Sequence, residues 1–171
     1  MEIKFTTGTS PLGSVLVAAT DKGLCTVSLR ESEAGAEEHL RARFPMAELK
    51  RDDSALRAAL DTVRERIAGR KLDCELALDL QGTEFQREVW SQLLAIPAGS
   101  TRSYLDVAQA INRPKATRAV AQACGANPVA VVVPCHRVVM SDGSIGGYSG
   151  RPGVKQALLA AEGVEPASAA T

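Results

Sequence analysis

With 171 residues, 45% of them apolar and 23% charged, the chain has the make-up of a folded globular protein, large enough for one medium domain or two small ones and unlike a disordered or fibrous chain. No stretch approaches the roughly 18–20 apolar residues that span a bilayer, and the N-terminus MEIKFTTGTSPLGS lacks a secretory pattern, so a cytoplasmic protein with no membrane attachment is expected. Twenty basic residues balance twenty acidic ones, which excludes a uniformly basic binder, yet residues 82–155 hold 8 Lys+Arg against 4 Asp+Glu, a local positive excess of the kind a phosphate-facing surface needs.

The first half reads as a small α/β unit. Ile3–Thr6, Ser14–Ala19 and Leu24–Leu29 are strand-like, and Asp21-Lys22-Gly23 marks a hairpin turn between the last two. Ala36–Phe44 reads as a short helix stopped by Pro45, and Ser54–Ala68 places Leu56, Leu60, Val63 and Ile67 at helical spacing before Gly69. Glu75–Leu80 alternates apolar and polar residues and reads as one more strand. Nothing in this half carries evident chemistry.

The second half opens on a capping box, Thr83-Glu84-Phe85-Gln86, followed by a Phe85, Val89, Leu93 stripe. Ser103 is the next N-cap, starting a helix over Tyr104–Ile111 with Leu105, Ala108 and Ile111 on one face. A tight connection leads to Pro114 as the first residue of a third helix, running through Lys115–Cys124 to Gly125. Two short helices so joined form either a helix-turn-helix or an ordinary helical hairpin. The second of them sets Arg118 among Ala116, Ala119, Ala121 and Ala123, small enough to let a backbone approach a groove.

Residues 127–138, NPVAVVVPCHRV, place Cys135 at the end of an apolar run with His136 and Arg137 directly after it. A cysteine attacks as thiolate, which positive neighbours favour; the alternative is a packed core thiol. Cys25, Cys74 and Cys124 have no such company, and no ligand spacing for a metal exists, so no metal is expected.

The run PCHRV, with RAVAQAC and NPVAVVV before it and SDGSIGGYSG after it, resembles the O6-alkylguanine-DNA alkyltransferases, also called methylated-DNA–protein-cysteine methyltransferases. From Gly82 to Gly163 the segments FQREVW, IPAGSTRSY, PKATRAV, PCHRVV and GYSG fall in that family's order. The chain is similar also to the alkyltransferase half of the bifunctional adaptive-response regulators. The fold class implied is α/β: a small RNase-H-like α/β scaffold domain, residues 1–80, and a mainly helical DNA-binding alkyltransferase domain, residues 81–171, containing a helix-turn-helix.

The resemblance implies direct-reversal DNA repair, an irreversible single-turnover transfer of an alkyl group from O6-alkylguanine or O4-alkylthymine to Cys135. His136, acting through a water, would deprotonate the thiol, and Glu162 would hold the imidazole. Tyr104 would promote rotation of the 3′ phosphate and protonate guanine N3. Arg118 would enter the vacated base stack, with Ala116 and Ala119 lining the recognition helix, Asn127 as hinge and Arg137 among the DNA-binding residues. Tyr148 and Ser149 would cover the flipped base, with Lys155 and Gly146 completing the pocket. The implied partner is double-stranded DNA, engaged by a monomer through the minor groove, at the nucleoid if the source is bacterial, with no cofactor. Ala130 stands where some members carry proline, and Cys124 where another residue type is common; both are expected to line the pocket and affect its tolerance of bulky alkyl groups. Two rivals are a lesion-binding protein of the same fold without chemistry, which would lack the cysteine, and a helix-turn-helix regulator indifferent to Cys135→Ser.

Overall fold

Strands lead the chain and helices follow. A computed structural model of the protein describes residues 1–70, 75–146 and 153–164. Contacts group the chain into two units, Met1–Gln81 with Pro128–Ala130, and Gly82–Asn127 with Val131–Thr171. Among the described residues no helix is long and apolar enough to cross a membrane.

In the first unit β1 (Glu2–Ser10), β2 (Gly13–Ala19) and β3 (Leu24–Arg30) form an antiparallel meander, the expected hairpin turn joining β2 to β3. Strand β4 (Glu48–Arg51) adds parallel to β1, giving the order β3-β2-β1-β4. Alternation decides the faces. Ile3, Phe5, Leu16, Ala18 and Cys25 bury together with Ala36 and Leu40 of helix α1 (Glu33–Arg43). Helix α2 (Asp53–Ile67) buries the expected Leu56, Leu60, Val63 and Ile67. It packs closely at Gly8, where a Cβ would meet Leu60 Cδ2 at 2.9 Å and overlap the Arg64 guanidinium.

Two expectations change here. The sequence does not announce β4, because Glu-Leu-Lys-Arg is a charged edge strand, a composition that discourages further pairing. Glu75–Leu80, read as a strand, makes only a single bridge: Leu24 N–H donates to Ala77 O at 2.8 Å and Asp79 N–H to Leu24 O at 2.8 Å. The outer edge of β3 is shared with Pro128–Ala130, where Val27 N–H donates to Pro128 O and Ala130 N–H to Val27 O, both at 3.0 Å. Divided between two short segments, that edge supports a full strand from neither.

In the second unit α3 (Glu84–Leu94) starts at the expected box: Gln86 N–H donates to Thr83 Oγ1 at 3.1 Å and Thr83 N–H to Gln86 Oε1 at 2.9 Å. Val89, Trp90 and Leu93 point inward, and Trp90 Nε1 donates to Ala123 O at 2.8 Å, tying α3 to α5 (Thr117–Gly125). Ser103 caps α4 (Tyr104–Ala110) with Asp106 answering, each bond 2.9 Å.

The link between these last two helices is longer than expected. α5 starts at Thr117 instead of Pro114, because Asn112 takes a left-handed φ of 61° and Arg113 N–H closes back onto Ala108 O at 2.8 Å. That Schellman-type stop reverses the chain. Pro114 and Lys115 then form a turn closed by Ala116 N–H to Arg113 O at 2.9 Å. On so short a helix as α4 the inward face narrows to Val107 and Ala108, leaving Leu105 37% exposed. The remaining elements are two-residue strands, β5 (Arg102–Ser103) parallel to β6 (Val138–Val139), and helix α6 (Val154–Ala161).

Candidate active site

The segment around Cys135 is built from turns that its own sequence dictates. Asn127 Nδ2 donates to Val133 O at 2.7 Å, fastening the start of the segment to the residue two before the cysteine. Val131 sits at φ 72°, a left-handed conformation that costs a β-branched residue roughly 1–3 kcal/mol. Pro134, at φ −83° and ψ 64°, makes an inverse γ-turn in which Cys135 N–H donates to Val133 O at 2.8 Å. A single 3-10 turn, Cys135–Arg137, follows, and Cys135 is 4% exposed at its start.

His136 and Arg137 both converge on Glu162, the residue that caps the C-terminus of α6. His136 Nε2 lies 3.1 Å from Glu162 Oε2. Arg137 donates from Nε to Oε1 at 2.9 Å, from Nη2 to Oε2 at 2.7 Å, and from Nη1 to Ile96 O at 2.7 Å. Burial works against the Glu162 charge, but the bonds from His136 and Arg137 outweigh it and hold the carboxyl down at about 2. Burial also pushes His136 below its ordinary 6.5, so the imidazole is neutral at pH 7. A neutral imidazole beside a carboxylate keeps its proton on the nitrogen facing it, which leaves a lone pair on Nδ1. Nδ1 is buried without a hydrogen-bond partner among the described residues.

The acid behaviour follows in sign. Both groups have folded-state affinities for protons below their unfolded ones, so stability from them is present at neutral pH and is lost on acidification. The loss begins below the ordinary 6.5 of His136 and deepens as pH falls from the ordinary 4.5 of Glu162 towards about 2. Urea unfolding from pH 7 to 3 should show this decline, and Glu162→Gln should flatten its lower part; an unchanged profile would contradict the pairing.

Tyr104 reaches the same neighbourhood through the β5–β6 ladder, which pairs Arg102 with Val138 and Ser103 with Val139. Burial, reinforced by Cys124 and Cys135, pushes its phenol up to about 12 and keeps it protonated. Lys155, expected as a pocket residue, lies on α6 and is 1% exposed; Nζ donates to Val138 O at 2.6 Å and to the Tyr104 hydroxyl at 3.4 Å. Cys124 lies on the inward face of α5, and burial followed by the nearby Cys135 raises its thiol to about 12.

Gly146 has a φ of 71°, and a Cβ there would lie 3.3 Å from both Tyr104 Cε2 and Met140 Cγ. Met140, 46% exposed, is thereby a neighbour that the sequence reading did not include; nothing in the sequence around position 140 singles it out. Tyr148 and Ser149, with Gly147, Gly150 and Cys74, lie outside the described residues. On α5 Val120, Ala123 and Cys124 face inward, Ala116 and Ala119 are half-buried, and Arg118 and Ala121 are exposed.

Arg137 departs from expectation. Placed among DNA-binding residues by the family resemblance, it has its guanidinium committed to Glu162 and Ile96, with its side chain 15% exposed. The carboxylate of a residue 25 positions away attracts it inward, a long-range pairing that local sequence does not display.

Residues 84–164 match the family model of the 6-O-methylguanine DNA methyltransferase DNA binding domain, and residues 3–80 that of the same family's ribonuclease-like domain. A methylated-DNA–protein-cysteine methyltransferase of Mycobacterium tuberculosis is 39% identical over 160 residues, 94% of this chain and 92% of that protein. The bifunctional transcriptional activator/DNA repair enzyme Ada of Escherichia coli is 38% identical over 162 residues, 95% of this chain; the chain spans only 46% of Ada's length. The crystal structure of Mycobacterium tuberculosis OGT in complex with DNA superposes with a TM-score of 0.78 at 36% identity, covering 95% of this chain and 92% of that one. With its two halves matched by the two domain models in order, this chain belongs to the 6-O-methylguanine DNA methyltransferase family.

Proposed function

We propose that this protein repairs DNA by direct reversal, taking the alkyl group of O6-alkylguanine, or of O4-alkylthymine, onto Cys135. The observation that carries the reading is the geometry directly after Cys135, where His136 Nε2 lies 3.1 Å from Glu162 Oε2 and Nδ1 is buried without a hydrogen-bond partner among the described residues. Such an imidazole is a base waiting for a proton.

The bond exchange balances without a cofactor. The thiol proton passes to His136 through a bridging water, and the sulfur displaces O6 in line at the alkyl carbon. The C–O bond breaks as the S–C bond forms, and Tyr104 gives guanine N3 a proton so that the base leaves neutral. Its raised phenol suits a donor that must stay protonated until the leaving group gains charge. A thioether offers no bond for this machinery to hydrolyse, so each molecule acts once.

Residues 81–171 carry DNA binding and chemistry, and residues 1–80 serve as scaffold. A base in a duplex reaches Cys135, a residue 4% exposed, only after it has been flipped out of the stack. Tyr148 and Ser149 have the role of covering the flipped base, and Gly146 and Lys155 that of completing the pocket. Arg118 fills the gap in the stack, and the small Ala116 and Ala119 let α5 enter a minor groove about 6 Å wide. Asn127 holds the hinge into the active-site segment. A monomer suffices for all of this, and the setting is the cytoplasm. Because damage falls anywhere, binding is sequence-tolerant and weakens with salt.

Mixed with excess O6-methylguanine oligonucleotide, the protein should transfer methyl groups until one equivalent per molecule is reached and then stop. Continued turnover would overturn the thioether end point.

A further inference from the structure

We propose that Arg137 is a positioning residue of the reaction, fixing the Glu162 carboxylate so that His136 stays neutral with its lone pair on Nδ1. For its alkyl-transfer consequences the proposal rests on the function given above.

Successive residues of a 3-10 turn point about 120° apart, so His136 and Arg137 would ordinarily diverge. Here both close on one carboxylate, and Arg137 reaches it with Nε and Nη2 while Nη1 is held by Ile96 O. A planar guanidinium bonded at both carboxylate oxygens fixes rotation as well as position, which a lysine ammonium does not. The Glu162 side chain is 5% exposed, so turning Arg137 out to a phosphate would leave a buried carboxylate with one partner fewer.

The charge consequence is directional. Burial of the ring is the first cause of its neutrality, and Glu162 opposes it by favouring a second proton on His136. Arg137 works on the side of burial against that pull. The charged groups acting on the ring are Glu162 and Lys155 from α6 and Arg137 from its own turn, so one acid faces two bases. The neutral ring is the favoured form, and its Nδ1 is available to accept.

The test is an NMR titration of the His136 imidazole in the wild type, Arg137→Met and Arg137→Lys. The only other histidine, His39 on α1, is identified by His39→Gln. Arg137→Met should raise the His136 titration midpoint by about one unit, roughly tenfold in proton affinity. Arg137→Lys should raise it less. Reaction with free benzylguanine at pH 6 should slow by about tenfold in Arg137→Met and recover toward pH 8, while affinity for undamaged duplex at fixed salt stays at the wild-type value. An unmoved titration, or a loss of duplex affinity with the titration unmoved, overturns the proposal. Should Arg137→Met fail to fold, the Arg137→Lys titration decides by the same rule. If the wild type transfers no alkyl group, the functional reading fails, yet the titration still reports on Arg137.

Discussion

Cys135→Ser is expected to abolish alkyl transfer from an O6-methylguanine oligonucleotide while duplex binding stays at its wild-type level. The substitution alters one atom at the start of the 3-10 turn and leaves untouched the bonds that shape the segment: Asn127 to Val133, Cys135 N–H to Val133, and Arg137 N–H to Pro134. A serine hydroxyl is far more basic as an anion than a thiolate, so a neutral imidazole cannot deprotonate it to any useful extent. Transfer assays and gel shifts on the same preparation separate the two properties. Residual transfer would point to Cys124, the neighbouring thiol, although burial by itself still pushes that sulfur up and keeps it protonated. Loss of DNA binding would instead show that the variant disturbs the fold.

Arg118→Ala should slow repair in duplex DNA by roughly 10–100-fold and leave reaction with free benzylguanine close to the wild-type rate. Arg118 is exposed on α5, while Val120, Ala123 and Cys124 hold that helix to the unit and Trp90 bonds to its Ala123 carbonyl. The side chain can therefore be removed without loss of packing. Flipping costs a few kcal/mol in unstacking, and a side chain that fills the gap offsets part of it. A free base pays no such cost. Equal slowing on both substrates would place the defect in the chemistry and remove Arg118 from the stack.

Much of this was legible in the sequence because the signals were local. Thr83 with Gln86 and Ser103 with Asp106 cap α3 and α4 as short-range pairs, and Leu56, Leu60, Val63 and Ile67 mark the buried stripe of α2. Cys135, His136 and Arg137 stood out by adjacency, and Glu162 through the family resemblance. What the sequence hid was long-range. Strand β4 exists because β1 offers it an edge, and Glu75–Leu80 fails as a strand because Pro128–Ala130 shares the edge of β3. The late start of α5 follows from the left-handed Asn112, a single backbone angle. The family resemblance put Arg137 among the DNA-binding residues and Lys155 in the pocket, without showing what either side chain bonds to. Glu162 and Ile96 draw in the first, and Val138 and Tyr104 hold the second.

The most direct measurement is fragmentation mass analysis of the protein after reaction with an O6-methylguanine oligonucleotide. Cleavage after Arg118 and Arg137 yields one peptide, residues 119–137, that contains both Cys124 and Cys135, so the fragment ions must separate the two sulfurs. One methyl in place of one hydrogen, located on Cys135 and matched by an unmodified guanine in the oligonucleotide, is the predicted result. A methyl on Cys124, or a repaired guanine with no mass gained by the protein, would contradict the account.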